Sequence, residues 1–111
     1  MKLKLAMVLS VFLATVPGSL LAQDIEAGRV LYNICSACHG PNGEGLQALN
    51  GPKLAGQEAW YTIRQLQNFK SGARGSDPRD IYGQQMAPMA QTLTTDQAIA
   101  DVAAYIQSLG N

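Results

Sequence analysis

Apolar side chains at Ala27, Val30, Leu31 and Ile34 fall at i, i+3, i+4 and i+7, one face of a helix, with Asp24 and Glu26 at the end where a helix favours negative charge. The spacing predicts a helix over residues 24–37. The stretch "GPNGEGLQALNGP" that follows holds four glycines and two prolines and reads as loop. A second helix is predicted over residues 57–70, where Trp60, Ile63, Leu66 and Phe69 form a broad apolar face and Gly72 is placed to end it. At that spacing Trp60 and Phe69 read as core. Beyond it, "SGARGSDPRDIYGQQMAPMAQ" shows no sustained period and reads as a long irregular segment, of the kind that in small domains usually has a function. The last helix carries a buried stripe of Ile99, Val102, Ala103, Ile106 and Leu109, with Thr94 and Gln97 as a capping box and Gly110 as its stop. No stretch alternates as a strand, and no repeat or low-complexity tract is present. The expectation is an all-α domain of three main helices with long loops.

Ahead of that pattern, Lys2 and Lys4 precede an apolar run from Leu5 to Val16 and a Pro17-Gly18 break. This is the build of an export signal, with cleavage after Ala22. The run is short for a bilayer span, which takes about 20 apolar residues. The predicted organisation is therefore a signal peptide at residues 1–22 and one domain at residues 23–111. The full chain balances 8 basic against 8 acidic residues, and loss of Lys2 and Lys4 leaves the domain weakly acidic. A weakly acidic domain without a basic stripe excludes a nucleic-acid partner. So small a domain is also expected to need a prosthetic group, a metal or disulfides to complete its interior.

The chain's 2 cysteines and its 1 histidine all lie in "CSACHG", as Cys35, Cys38 and His39. Four chemistries use such a cluster. A zinc site takes four ligands, and only carboxylates remain to complete one. A thioredoxin-like redox pair belongs in a βαβ unit, and no strand precedes this pair. A structural disulfide would close a very short loop and leave His39 without a role. Covalent haem c uses all three residues: two thiols add to the vinyl groups and the next residue's imidazole reaches the iron. Export agrees with this reading. Met86 and Met89 in "QQMAPMAQTL" then offer soft thioethers for the iron's other face, and the spacing does not choose between them.

The stretches "AGRVLYNICSACHG", "GPKLAGQ", "YTIRQLQNFKSGAR", "MAPMAQTLT" and "DQAIADVAAYIQSL", in that order, resemble the class I c-type cytochromes, specifically a single domain of the cytochrome c4 and c553 type. The resemblance implies that Met86, seven residues before Leu93, is the axial methionine, with Met89 packing. It implies that the Pro52 carbonyl accepts from the His39 ring, that Leu54 packs on the haem, and that Gly28 and Tyr32 lie where the first helix crosses the last near Val102 and Tyr105. Cofactor-binding residues are then Cys35, Cys38, His39, Pro52, Leu54 and Met86, with His39 and Met86 on the iron of one covalent haem c. "RGSDPRD" reads as a solvated loop, pairing of one of its arginines with a haem propionate being the alternative. The function implied is one-electron transfer between redox donor and acceptor proteins in the periplasm, without catalysis and without a membrane span after signal cleavage. The alternative is a tightly bound cytochrome subunit of a particular periplasmic dehydrogenase.

Overall fold

The computed structural model describes residue 1 and residues 21–111. The predicted export signal lies almost wholly outside the described residues. Five α-helices follow in order among the described residues: α1 (Ile25–Leu31), α2 (Asn33–His39), α3 (Ala59–Ser71), α4 (Ile81–Gln91) and α5 (Asp96–Ser108), with a 3-10 turn at Gln47–Leu49. Among the described residues extended pairing is limited to one bridge, Leu46 to Gly51. The class is all-α, and none of the described helices is long and apolar enough to cross a membrane.

The first predicted helix is two helices joined at Tyr32, whose φ of −65° and ψ of −18° stay in the helical region. The N–H groups of Cys35 and Ser36 both donate to the Tyr32 carbonyl, at 2.8 and 3.0 Å, so the run tightens there and continues to His39. Gly40, with φ 85°, ends it in a conformation that a side chain would strain. The buried face also differs from the predicted stripe. Gly28 and Tyr32 are buried, Ala27 and Leu31 are half-buried, and Val30 and Ile34 are exposed.

Gly28 sets that rotation. A Cβ built on it would lie 2.0 Å from the Asp101 carbonyl oxygen and 2.9 Å from Tyr105 Cβ, so α1 meets α5 backbone to backbone. The Tyr32 ring packs on that of Tyr105 with centroids 5.3 Å apart. Buried Asp101 ties the crossing together, accepting from the Asp24 N–H at 2.9 Å and from Gln97 Nε2 at 2.7 Å. Gln97 thus serves Asp101, and the predicted capping box is replaced by a simple cap one residue on. Thr95 is the cap of α5: its backbone is extended and its hydroxyl accepts from the Ala98 N–H at 3.0 Å. The predicted stripe of α5 is buried except for Leu109, which is half-buried. Ala100, Asp101 and Ala104 are buried as well because α1 covers a second face.

Helix α3 begins two residues later than predicted and ends at Gly72, whose φ of 80° makes a left-handed cap. Its buried face is Ala59, Thr62, Leu66 and Phe69, and Trp60 is 56% exposed. The prediction that Trp60 is core is therefore corrected. The indole lies off the buried face, with the Arg64 guanidinium 5.0 Å from its ring centroid.

The larger correction is α4, which lies inside the segment read as irregular. Gly83 and Ala90 are buried and Met86 and Ala87 half-buried, the i, i+3, i+4, i+7 spacing filled by small residues that carry little apolar signal. The Asp80 carboxylate caps it by accepting from the Gly83 N–H at 2.9 Å. Pro88 sits within the helix and deprives the Gln84 carbonyl of its intrahelical partner. Both residues are exposed, so the missing bond falls on the solvent side. The core of Tyr32, Leu66, Phe69, Ala90, Leu93, Ile99, Val102 and Ile106 draws on α3, α4 and α5 together.

Gly28→Ala is expected to force α1 away from α5 and to lower stability by at least about 1–3 kcal/mol, as overpacking of a close contact does. Urea denaturation measures this, and an unchanged midpoint would contradict the backbone contact.

Candidate functional site

A cleft of ≈ 520 Å³ runs between α2, α3, α4 and α5. Cys35, Cys38 and His39 come to it from the last turns of α2, and Pro52 and Leu54 from the loop that follows. Leu66 and Phe69 of α3, Leu93, and Val102 and Ile106 of α5 supply an apolar wall, and α4 contributes Met86 and Met89. The size suits a medium-sized organic cofactor, since such sites run from about 300 to 1,000 Å³.

His39 is buried and held on every side. Its Nδ1 lies 2.7 Å from the Pro52 carbonyl oxygen. A carbonyl only accepts, so Nδ1 donates here, and in the neutral ring the lone pair falls on Nε2, the tautomer a metal requires. The His39 carbonyl accepts from the Gly45 N–H at 2.7 Å. Beside it, the Gly40 carbonyl accepts from the Tyr32 hydroxyl at 2.8 Å and the Gly43 N–H at 3.1 Å. Burial pushes the Tyr32 phenol up to about 12, with nearby anionic groups adding, so it remains a donor throughout the physiological range.

Cys35 is half-buried and Cys38 exposed. Burial raises the Cys35 thiol to about 11, and Cys38 adds to the shift. The pair lies on α2 and among the described residues no strand precedes it, which does not match the βαβ setting of a thioredoxin-like redox pair. The donors that line the cleft are two thiols, one imidazole and two thioethers, beside an apolar wall.

Met86 and Met89 reach the cleft from one helix, three residues apart and so on one face. Met86 is half-buried and Met89 is 40% exposed. Neither is a loop methionine, as the sequence pattern had implied.

The cytochrome c family model matches residues 25–110. The chain belongs to the cytochrome c family. It is a class I c-type cytochrome of the c4 type. The solved cytochrome c4 of Pseudomonas stutzeri shares the fold with a TM-score of 0.61 at 40% identity, over 78% of this chain and 46% of that one. Cytochrome c-554(548) of Halomonas halodenitrificans is 39% identical over 87 residues, a match that takes in 78% of this chain and 98% of that protein. The thiosulfate dehydrogenase electron acceptor of Stutzerimonas stutzeri is 41% identical over 76 residues, 68% of this chain and 32% of that protein. The chain spans less than half the length of the cytochrome c4 relatives it matches. Membership of the family implies covalently bound haem c with its iron, and the donor set of the cleft fits that group.

In this cytochrome the sequence reading missed two groups that fix His39. One is the Tyr32 hydroxyl, because a tyrosine on a helix face carries no sign of a bond to Gly40. The other is Gly51. A Cβ there would lie 1.7 Å from the Cys38 carbonyl oxygen and 3.2 Å from the His39 nitrogen, so the loop bearing Pro52 presses its backbone directly on α2. In the sequence, Gly51 beside Pro52 reads only as loop punctuation. Gly51→Ala is expected to lift that loop, lengthen the bond from His39 Nδ1 to Pro52, and cost at least about 1–3 kcal/mol of stability. Faster solvent exchange of the Nδ1 proton in NMR, with a lower unfolding midpoint, is the predicted outcome, and unchanged exchange would contradict it.

Proposed function

We propose that this chain is a periplasmic monohaem cytochrome that carries single electrons between redox proteins. The observation that carries the reading is the shared cleft: Cys35, Cys38, His39 and Met86 all line it, against an apolar wall. In this reading residues 1–22 are an export signal and residues 23–111 the haem domain. Cys35 and Cys38 hold the cofactor through thioether bonds, and His39 presents Nε2 to its iron. Bound haem c supplies a one-electron iron couple.

The remaining residues tune and protect that couple. Pro52 keeps the His39 ring in one tautomer and orientation, as outer partners of metal-bound histidines do. Leu54, half-buried, packs along the cleft. Met86 would be the iron's second protein ligand, a choice supported by its greater burial than Met89 and by its spacing to Leu93. A methionine in that position favours the reduced state more than a second histidine would, and with His39 it leaves no open coordination position for a substrate. The cleft mouth carries the exposed side chains of Leu49, Tyr82 and Met89, an apolar rim suited to the brief, weak encounters of electron-transfer partners.

A second reading, a cytochrome held in a dehydrogenase complex, is favoured by the similarity to a thiosulfate dehydrogenase electron acceptor. Gel filtration of periplasmic extract separates the two. A small haem protein supports the free carrier, and elution with a dehydrogenase supports the complex.

The ligand assignment is tested on the oxidised protein through its weak near-infrared sulfur-to-iron band. Met86→Ala is expected to remove the band and lower the reduction potential. Met89→Ala is expected to keep both, with a stability change within about 1 kcal/mol because the side chain is well exposed. Loss of the band in the Met89 variant alone would reverse the assignment, and its absence from the unmodified protein would sink methionine ligation altogether.

A further inference from the structure

The cleft that would take haem c must also receive the two carboxylates that haem carries. Besides His39, the charged side chains lining it are Lys53, Arg74 and Asp80, and its other titratable groups are the two cysteines, Tyr61 and Tyr82. The Asp80 carboxylate is engaged as the cap of α4 and has the wrong sign for a carboxylate partner. Of the two cations, Arg74 is the one held in place.

Three contacts fix it. The Arg74 N–H donates to the Asn68 carbonyl at 3.1 Å, across the left-handed turn at Gly72, which locks the backbone to the end of α3. The guanidinium carbon lies 4.5 Å from the ring centroid of buried Phe69, and Nη1 donates to Gln65 Oε1 at 2.8 Å. Both Phe69 and Gln65 line the same cleft. The ion pairs among the described residues are Arg29–Glu26 and Arg79–Asp77, so Arg74 has no carboxylate partner. A guanidinium carries five N–H donors, and Gln65 takes one. Arg79, the other arginine of "RGSDPRD", is engaged with Asp77 by two side-chain bonds of 3.0 and 2.7 Å and does not line the cleft.

We propose that Arg74 is a cofactor-binding residue whose guanidinium, held over Phe69 by Gln65, takes a carboxylate of the haem. This rests on the haem reading above. A pre-oriented planar fork suits a carboxylate better than the mobile ammonium of Lys53, and less side-chain freedom is lost when the bond forms. A cation at that place has two consequences. It favours the reduced iron, and it holds the carboxylate's pKa down, keeping it ionised to lower pH.

The test compares the holoprotein with Arg74→Gln, Arg74→Lys, Lys53→Gln and Arg79→Gln. Haem retained after acidified organic extraction is measured first on each, so that failure of the haem reading is seen separately from failure of this one. Midpoint potentials are then followed from about pH 5 to 9, a range that brackets ordinary and raised carboxylate titrations. Arg74→Gln is expected to lower the potential and move its pH-dependent step upward. Arg74→Lys should recover most of both changes, and Arg79→Gln should match the unmodified protein. If Arg74→Gln does not accumulate with haem, Arg74→Met and Arg74→Lys give the same comparison of a lost against a retained charge. Covalent haem with an unchanged potential and unchanged step in Arg74→Gln would overturn the proposal, as would the shift appearing in Lys53→Gln instead. Absence of covalent haem from the unmodified protein would remove its foundation.

Discussion

The structure depends on a backbone contact at Gly28, where α1 lies against the Asp101 carbonyl so closely that no Cβ fits between them. That approach brings the Tyr32 and Tyr105 rings together and draws Asp101 into the bonds with Asp24 and Gln97. It also fixes where the helical run points beyond Tyr32, and so where α2 delivers Cys35, Cys38 and His39. A second contact of the same kind, Gly51 on the Cys38 carbonyl, completes the arrangement by bringing Pro52 to the His39 ring. Two glycines thus position the His39 imidazole through backbone contacts.

Once α2 is placed, the rest of the cleft follows from amphipathic packing. Helices α3 and α5 contribute Leu66, Phe69, Val102 and Ile106 both to the shared core and to the cleft wall. Helix α4 closes the opposite side with small residues inward and Met86 among them. Interior and cofactor site are one apolar surface in this domain, so changes in core packing reach the site directly. Buried His39 and Tyr32 each enter that surface with a partner, the Pro52 and Gly40 carbonyls.

Much of this was legible in the residues. The stripe of α5, the left-handed stop of α3 at Gly72 and the all-α class rest on large apolar side chains and a glycine at fixed offsets, which are strong signals. What escaped was carried by weak ones. Helix α4 is built on Gly83, Ala87 and Ala90, whose small side chains leave little periodic signal, and Pro88 points away from a helix although its missing bond faces water. Val30 and Trp60 misled because spacing alone does not fix a helix's rotation; the Gly28 contact and the α3 packing face do. Thr95 and not Thr94 caps α5, and Gln97 bonds Asp101, which is itself tied to Asp24 across the α1 crossing. At the site, residue types named the chemistry, whereas the bonds that orient His39 come from segments distant in the chain.

The central claim is that Cys35 and Cys38 hold one haem c by thioether bonds inside this fold. Mass spectrometry of the denatured protein after acidified organic extraction tests it most directly. The chain is predicted to retain the added mass of one haem, mapped to the peptide containing Cys35 and Cys38. A haem-free chain with both thiols intact would contradict the account.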